Sequence, residues 1–273
     1  MSKILFHKMH GLGNDFVIID QRVNNDAIDN FEIDKRLAQK ICDRQFGVGC
    51  DQLIILKPSD KADLRMDIYN VDGTAASACG NASRCVVSLM GADCTIETNG
   101  GIISGSWSKN NCAVNMGKAH FNWDEIPLAY PVDNMNIPMA WDDIDGGAVV
   151  NVGNPHIVFF GNQSLLEKCE ISGLKIATDP FFVNGVNANF AHISHDNIIH
   201  LNVWERGAGA TMACGTGACA TAVIAIKKRL VLSPATVRQR GGDLVISWQE
   251  GGDIIMSGPA TYVFNGEFNP EEI

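Results

Sequence analysis

Two cysteines in similar sequence contexts are the residues best suited to proton-transfer chemistry. Cys79 lies in Ala-Cys-Gly-Asn, and Cys214 lies in Ala-Cys-Gly-Thr. Each precedes a run of helix-forming residues, so each is predicted to lie where a helix begins. Backbone N–H groups at a helix start have no partner inside the helix and favour an anion, either a thiolate or a ligand carboxylate. This position is expected to lower a cysteine pKa from its free value of about 8.5.

The surroundings of the two cysteines repeat along the chain. They are 135 residues apart, close to half of the 273-residue length. In each copy an aliphatic-aromatic strand and a turn of small residues precede the cysteine. The matching pairs are Ile68-Tyr69 with Val203-Trp204, and Gly13-Asn14 with Gly153-Asn154. The sequence therefore predicts two related halves packed about a pseudo-two-fold axis, with the cysteines facing each other across a cleft.

Two opposed thiols suit the inversion of a stereocentre. One thiolate removes a proton from one face of a carbon, and the other thiol delivers a proton to the opposite face. Both groups need pKa values near the working pH. Since one must be charged while the other is neutral, Cys79 and Cys214 are expected to titrate as a coupled pair.

Composition excludes several classes of function. The chain is 46% hydrophobic and carries a net charge of −10, which argues against a nucleic-acid or membrane-surface partner. No apolar run approaches the roughly 20 residues of a membrane span. The nine cysteines are odd in number and form no C-x-x-C motif, which indicates reduced thiols, a cytoplasmic location and no zinc site.

The predicted elements give an α+β fold. Each of two pseudo-symmetric domains is expected to be a curled, mainly antiparallel β-sheet or barrel around a central helix, over 80–91 in the first and 215–229 in the second. A further helix over 32–44 has Phe31, Leu37 and Ile41 as inward candidates. The segment 119–147, rich in proline and acidic residues, is the expected connection between the domains.

Further polar residues are candidates for ligand binding. Glu205-Arg206 follows an apolar strand. In this position Arg206 could bind a carboxylate, and Glu205 could bind an ammonium group. Asn14 and Asn154 occupy related positions in the two halves. His156 could orient a ligand or a thiol, or could be a hydrogen-bonded core histidine. The remaining amides in or beside glycine turns are Gln52, Asn70 and Asn187.

These motifs together resemble the diaminopimelate epimerase family. The resemblance rests on stretches that occur in order along nearly the whole chain: His10–Phe16, Gly47–Gln52, Asn70–Gly73, Ala78–Asn81, Gly153–His156, Val186–Ala188 and Glu205–Gly217. It implies a cofactor-independent conversion of LL-2,6-diaminopimelate to the meso isomer, for lysine and peptidoglycan synthesis. It also implies a homodimer, with domains of 1–120 plus 261–273 and of 121–260.

The resemblance also implies a role for each candidate residue. Cys79 and Cys214 are the acid/base pair, and Cys79 acts as base on the L-centre. The backbone around Gly80-Asn81 and Gly215-Thr216 holds the reacting carboxylate. The distal carboxylate is held by Asn70, Asn154, Asn187 and Arg206, the amino group by Glu205, and the pocket is completed by Asn14, Gln52 and His156. Ala82-Ser83 and Ala210 depart from the family pattern.

Three alternatives stay open. Proline and hydroxyproline racemases also use a cysteine pair in this fold, but Glu205, Arg206 and the asparagines favour a substrate with a second amino-acid head group. A thiol redox protein could use Cys79 and Cys214 as a dithiol, although their separation in the chain weakens this reading. A non-catalytic protein that binds a diacid is the third possibility.

Overall fold

The computed structural model describes residues 3–22, 33–109 and 111–273. In chain order, the strands are β1 Ile4–Gly11, β2 Asn14–Asp20, β3 Gln52–Lys57, β4 Leu64–Asn70, β5 Ala75–Ala76, β6 Cys94–Thr98, β7 Gly101–Ser106, β8 Cys112–Lys118, β9 Ala148–Asn151, β10 Pro155–Gly161, β11 Asn187–Ile193, β12 Ile198–Glu205, β13 Gly209–Ala210, β14 Ala235–Gln239, β15 Gly242–Ser247, β16 Asp253–Gly258 and β17 Thr261–Phe268. The helices are α1 Lys35–Cys42, α2 Gly80–Met90, α3 Lys168–Ala177 and α4 Gly215–Lys227. A 3-10 turn, Gln163–Glu167, precedes α3.

The chain divides into two compact units. Unit 1 contains the residues up to Val114 together with Gly258–Ile273, and unit 2 is Asn115–Ser257. The C-terminal strand β17 therefore belongs to unit 1, where it pairs with β1. The predicted domain limits, with breaks at 120/121 and 260/261, stay a prediction.

In unit 1 the strand order is β17-β1-β2-β3-β4-β6-β7-β8, with β5 paired to β4. Two pairs, β2–β3 and β4–β6, are parallel, and the others are antiparallel. The chain between β2 and β3 includes α1, and the chain between β5 and β6 includes α2. Parallel neighbours need such a crossover, whereas antiparallel neighbours are joined by short turns.

Unit 2 repeats these connections. Its order is β9-β10-β11-β12-β14-β15-β16, with β13 paired to β12 and parallel pairs at β10–β11 and β12–β14. The two crossovers include α3 and α4. The predicted α+β fold of two related, mainly antiparallel domains is thus confirmed. Among the described pairings, none joins the first strand of a unit's order to the last strand of that order. Each sheet is therefore open and is not a barrel.

The central helices occupy the predicted positions. α2 begins at Gly80 and stops at Gly91, whose φ of 66° is left-handed and suits a residue without Cβ. α4 is small and apolar on nearly every side, and all of its residues from Gly217 to Ala225 are buried. The predicted helix over 32–44 is the shorter α1, with Ile41 buried and Leu37 half-buried. Phe31 lies outside the described residues.

Each unit has an apolar core of its own. In unit 1, side chains of β1, β2 and β3 pack against Ala38 and Ile41 of α1. In unit 2, aromatic rings dominate: Phe159 lies 5.9 Å from Trp141 and 5.7 Å from Phe190 between ring centroids. Of the helices in the described part of the chain, none is long and apolar enough to cross a membrane.

Gly105 of β7 sets how closely α2 approaches the sheet of unit 1. A Cβ at Gly105 would lie 2.1 Å from Cγ2 of Val87, which is fully buried on α2. We expect Gly105→Ala to displace α2 and to lower the free energy of unfolding by about 1–3 kcal/mol, as overpacking of a core does. Urea unfolding measures the change. Gly252→Ala is the control, because its Cβ would meet only the carbonyl oxygen of Gln249, at 3.3 Å; equal losses in both variants would contradict the packing argument.

Candidate active site

Cys79 is the N-cap residue of α2 in unit 1. Its backbone is extended, with φ −149° and ψ 109°, and its carbonyl oxygen accepts from the backbone N–H of Ser83 at 2.9 Å and from the Ser83 hydroxyl at 2.8 Å. The Cys79 side chain is half-buried. Gly80 and Asn81 supply first-turn N–H groups, which have no acceptor within the helix. The first turn therefore presents backbone donors beside the thiol.

Asn14 lies against this helix start. Its Oδ1 accepts a hydrogen bond from Asn81 Nδ2 at 3.2 Å and lies 4.0 Å from Cys79 Sγ. A carbonyl oxygen in this position can accept a hydrogen bond from the thiol. Asn14 begins β2, directly after the turn that joins β1 to β2, so the predicted Gly-Asn turn places its side chain next to Cys79.

A charged cluster fixes the orientation of the Asn14 amide. Asn14 Nδ2 donates to Asp51 Oδ2 at 3.0 Å, so its oxygen points to Cys79 and Asn81. Arg44 bridges Asp51, at 2.7 Å, and Asp15, at 2.6 Å. Burial raises the pKa of Asp15, but hydrogen bonds and charge from Arg44 and a lysine outweigh burial and bring this pKa to about 2. Asp15 is therefore ionised at neutral pH.

Gln52 and Asn70 form a second amide pair in unit 1. They face each other on β3 and β4, and Gln52 Nε2 donates to Asn70 Oδ1 at 2.9 Å. Asn70 Nδ2 donates to the Thr74 hydroxyl at 3.1 Å. Gln52 Oε1 is buried and has no hydrogen-bond partner among the described residues. The pair thus keeps one amide oxygen that can accept a ligand N–H.

Cys214 is the N-cap residue of α4 in unit 2 and is only 4% exposed. Its sulfur accepts from the backbone N–H of Gly217 at 3.3 Å and lies 3.5 Å from the Thr216 hydroxyl. Its own backbone N–H donates to Gln239 Oε1 at 2.7 Å. The Cys214 thiol is therefore held at the first turn of a buried helix by a hydrogen bond for which the Cys79 side chain has no counterpart.

Burial and the neighbouring Glu205 together set the protonation state of Cys214. Cys214 Sγ donates to Glu205 Oε2 at 3.1 Å, and the Thr211 hydroxyl donates to Glu205 Oε1 at 2.5 Å. Burial and the adjacent Glu205 charge raise the pKa of Cys214 well above its usual value, despite the N–H of Gly217. The sequence-based expectation of a lowered pKa is therefore wrong for Cys214, because burial and a carboxylate outweigh the helix start. Cys214 is a neutral thiol that can deliver a proton.

His156 is fully buried and neutral. Burial lowers its pKa to about 3. Asn189 Nδ2 donates to His156 Nδ1 at 3.1 Å, so the proton lies on Nε2, which donates to Asn154 Oδ1 at 2.9 Å. His156 therefore fixes the orientation of the Asn154 amide from inside the domain. This contact matches the second sequence-based reading, a hydrogen-bonded core histidine.

Asn187 and Arg206 meet at the ends of β11 and β12. Asn187 Nδ2 donates to the carbonyl of Pro155 at 3.0 Å, and its Oδ1 accepts from the backbone N–H of Arg206 at 2.9 Å. The guanidinium of Arg206 is exposed and donates to the carbonyl of Asn184 at 2.6 Å. Hydrogen bonds to the backbone thus position both the Asn187 amide and the Arg206 guanidinium.

The Cys79 site in unit 1 and the Cys214 site in unit 2, each called a half-site, also contain polar residues that were not identified from the sequence, among them Asp51, Asn189 and Gln239. Asp51 lies beside Gln52 in a stretch already singled out. Asn189 and Gln239 are almost fully buried. Because side chains alternate along a strand, Asn189 lies on the same face of β11 as Asn187, and Gln239 lies on the same face of β14 as Val237. A polar residue at an inward position of an apolar strand was the available signal.

Each half-site combines a helix-start thiol with backbone N–H groups and oriented amides. This arrangement can bind a carboxylate and transfer a proton to or from an adjacent carbon. Within the described residues, no group of three or more His, Cys, Asp and Glu side chains could hold a metal ion. The structure brings Asn14 and Asn81 to Cys79, Gln52 to Asn70, Glu205 and Thr216 to Cys214, Asn154 to His156, and Asn187 to Arg206.

We expect Glu205→Gln to make Cys214 more acidic, because the substitution removes the negative charge next to the sulfur. The measurement is the pH dependence of iodoacetamide alkylation at Cys214, followed by peptide mass spectrometry. The midpoint of this profile should fall. Glu167→Gln, which removes an exposed carboxylate of the same unit, is the control and should leave the profile unchanged. An unchanged midpoint in Glu205→Gln would refute the electrostatic account.

Curated relatives resemble the chain over nearly its full length. The diaminopimelate epimerase of Sphingopyxis alaskensis is 52% identical over 262 residues, covering 96% of each chain. That of Rhizorhabdus wittichii is 49% identical over 265 residues, covering 97% of this chain and 95% of the relative.

Solved structures share the fold at low sequence identity. A phenazine biosynthesis protein of the PhzF family from Bacillus anthracis has a TM-score of 0.71 at 16% identity, covering 98% of this chain and 100% of that one. A hydroxyproline epimerase from Agrobacterium vitis has a TM-score of 0.66 at 12% identity, covering 97% and 92%. At this identity the likeness concerns the fold alone.

The sequence profile of a single family covers most of both units. It matches residues 6–122 and 148–263, which include Cys79 and Cys214 with all the amides described above. Together with relatives of about 50% identity, this match is decisive. The chain belongs to the diaminopimelate epimerase family of isomerases.

Proposed function

We propose that the chain interconverts LL-2,6-diaminopimelate and meso-diaminopimelate without a cofactor, by transferring protons between two thiols and one α-carbon. The observation that carries the proposal is the repeated half-site: Cys79 and Cys214 are N-cap residues of α2 and α4, after equivalent strands. The family match and the names of the relatives support the substrate. The reaction would supply lysine and peptidoglycan synthesis.

In this proposal Cys79 is the base on the L-centre and Cys214 the acid. The Cys79 thiolate takes the α-proton, the electron pair of the C–H bond is delocalised into the reacting carboxylate, and Cys214 protonates the other face. The raised pKa of Cys214 supports its role as proton donor. Developing charge on the carboxylate would be stabilised by first-turn N–H groups at Gly80-Asn81 and Gly215-Thr216.

The second head group of the substrate would be held by the oriented amides and the exposed guanidinium. Asn70, Asn154, Asn187 and Arg206 would bind the distal carboxylate, with Asn14 and Gln52 completing the pocket. His156 would act through Asn154, because its ring is fully buried. Glu205 would serve the amino group in addition to its contact with Cys214.

Proton exchange tests the mechanism. LL-diaminopimelate is incubated in D2O with the enzyme and followed by NMR. We expect the wild type to give the meso isomer with deuterium at one α-carbon, and Cys79→Ala and Cys214→Ala to give no epimerisation. Cys85→Ala and Cys219→Ala are matched controls, since both residues are buried deeper in the same helices, and both variants should epimerise.

Two outcomes would contradict this function. If the reduced wild type leaves diaminopimelate unchanged but racemises proline or hydroxyproline in the same assay, the substrate is wrong. Binding of diaminopimelate without exchange would instead favour a binding protein. Turnover without any added electron acceptor would exclude the thiol redox alternative.

We propose further that the enzyme is a cytoplasmic homodimer. The paired strands β1 and β17 carry exposed apolar side chains, some of which a second copy could cover. These side chains are Leu5, Tyr262, Val263 and Phe264, which are 46–55% exposed. Nine free thiols fit a reducing compartment, and the net charge of −10 argues against nucleic acid as a partner.

Sedimentation analysis tests the dimer. We expect Val263→Glu to convert the dimer to a monomer, since the variant places a charge among the exposed apolar side chains of β1 and β17. Leu232→Glu is the control, because Leu232 is 86% exposed and belongs to unit 2 rather than to β1 or β17, and this variant should stay dimeric. A wild-type protein that sediments as a monomer would contradict the proposed dimer.

A further inference from the structure

A second pair of cysteines lies close together in unit 1. Cys42 is the last residue of α1, and Cys50 lies two residues before β3. Their Sγ atoms are 3.5 Å apart, with the Cys50 thiol donating to the Cys42 sulfur. They are 3% and 1% exposed and belong to the apolar core between α1 and the sheet. Neither residue belongs to the half-sites described above.

Backbone hydrogen bonds hold the two cysteines of this pair next to each other. The N–H of Cys50 donates to the carbonyl of Cys42 at 3.1 Å, and the N–H of Gly49 donates to the carbonyl of Ile41 at 2.9 Å. A disulfide needs Cα atoms roughly 4.4–6.8 Å apart, and a direct backbone hydrogen bond keeps the two residues close to each other. Closing the sulfur separation from 3.5 Å to about 2 Å therefore needs only a small side-chain movement.

The two thiols differ in acidity. The pKa of Cys42 is lowered because the Cys50 thiol donates to its sulfur, aided by the N–H of Leu53 and the charges of Lys8 and Arg44, against the opposing effect of burial. The pKa of Cys50 is raised, because its proton is shared with Cys42 and because it is buried. Cys42 is thus the nucleophile of the pair, and Cys50 is the thiol that resolves its oxidation.

We propose that Cys42 and Cys50 are a reversible modification site, which hydrogen peroxide converts from a dithiol to a disulfide. The Cys42 sulfur attacks one peroxide oxygen, the O–O bond breaks, and water leaves with the thiol proton, forming a sulfenic acid. The Cys50 sulfur then attacks the Cys42 sulfur, the S–O bond breaks, and a second water leaves. Two thiols and one peroxide give one disulfide and two waters.

The loop between the cysteines gives peroxide its access. Residues 43–46 form an exposed turn, in which the Asp43 carboxylate accepts from the N–H groups of Gln45 and Phe46, and Phe46 is 84% exposed. A short surface turn of this kind opens at low free-energy cost. Peroxide is little larger than water, so a local opening exposes Cys42 to it.

The site is coupled to the Cys79 half-site through its neighbours. Asp51, which orients the Asn14 amide, directly follows Cys50, and Arg44, which bridges Asp51 and Asp15, lies inside the ring that the disulfide closes. Oxidation would therefore restrict the segment that carries this charged cluster. We expect the disulfide form to melt at a higher temperature than the dithiol form.

Peptide mapping tests the proposal on the whole protein. The wild type is treated with increasing hydrogen peroxide, its free thiols are alkylated under denaturing conditions, and it is digested with trypsin. We expect the peptides Ile41–Arg44 and Gln45–Lys61 to be joined, with loss of two hydrogen atoms, and dithiothreitol to separate them; Pro58 prevents cleavage after Lys57. The buried single thiols Cys94 and Cys169 should stay alkylatable at the same peroxide concentration.

The Cys50→Ser variant is the matched control. It removes the resolving thiol, so it should give no joined peptide and no oxidation-dependent rise in melting temperature. The proposal is overturned if the two wild-type peptides stay separate and alkylated at peroxide concentrations that already oxidise Cys79 or Cys214. It is also overturned if Cys42 proceeds to sulfinic acid without a joined peptide. A disulfide between Cys79 and Cys214 would join other tryptic peptides, so mass spectrometry distinguishes it from a disulfide between Cys42 and Cys50.

Discussion

The N–H groups in the first turn of a buried helix, which have no acceptor within that helix, are the constraint on which both half-sites depend. α2 and α4 are each buried along most of their length, so their first turns need partners that water does not supply in the core. The Cys214 sulfur is such a partner in α4, and a ligand carboxylate would be one in both helices. The same constraint explains why small residues surround both cysteines, since a larger side chain would keep an anion from the backbone.

The helix start does not by itself decide the charge of the thiol. At Cys214, burial and the Glu205 carboxylate at 3.1 Å act against the N–H of Gly217, and the neutral thiol results. Charges at this distance in a poorly hydrated site interact more strongly than a helix terminus does. The Cys79 sulfur instead lies 4.0 Å from an amide oxygen, whose orientation Asp51 fixes. The two half-sites share a backbone design, but differ in the groups next to the sulfur.

Both half-sites also contain an asparagine whose amide group is oriented by a neighbouring side chain. Asp51 holds Asn14 in unit 1, and neutral His156 holds Asn154 in unit 2. Since Asn14 and Asn154 follow equivalent turns, each domain fixes its own asparagine with a different partner. A rigid amide loses little conformational entropy when it binds, so it contributes more to affinity and orientation than a mobile one would.

The sequence by itself determined the α+β class, the two related domains, the central helices and the two N-cap cysteines. These features follow from local patterns: residue alternation in strands, small residues at helix starts and a repeat near half the chain length. Only the tertiary structure decided which groups surround the sulfurs. Glu205 next to Cys214, the buried contacts of His156 and the Cys42–Cys50 pair depend on strand pairing and side-chain direction. Burial then set the acidity of these groups, and burial is a property of the packed domain rather than of any local segment.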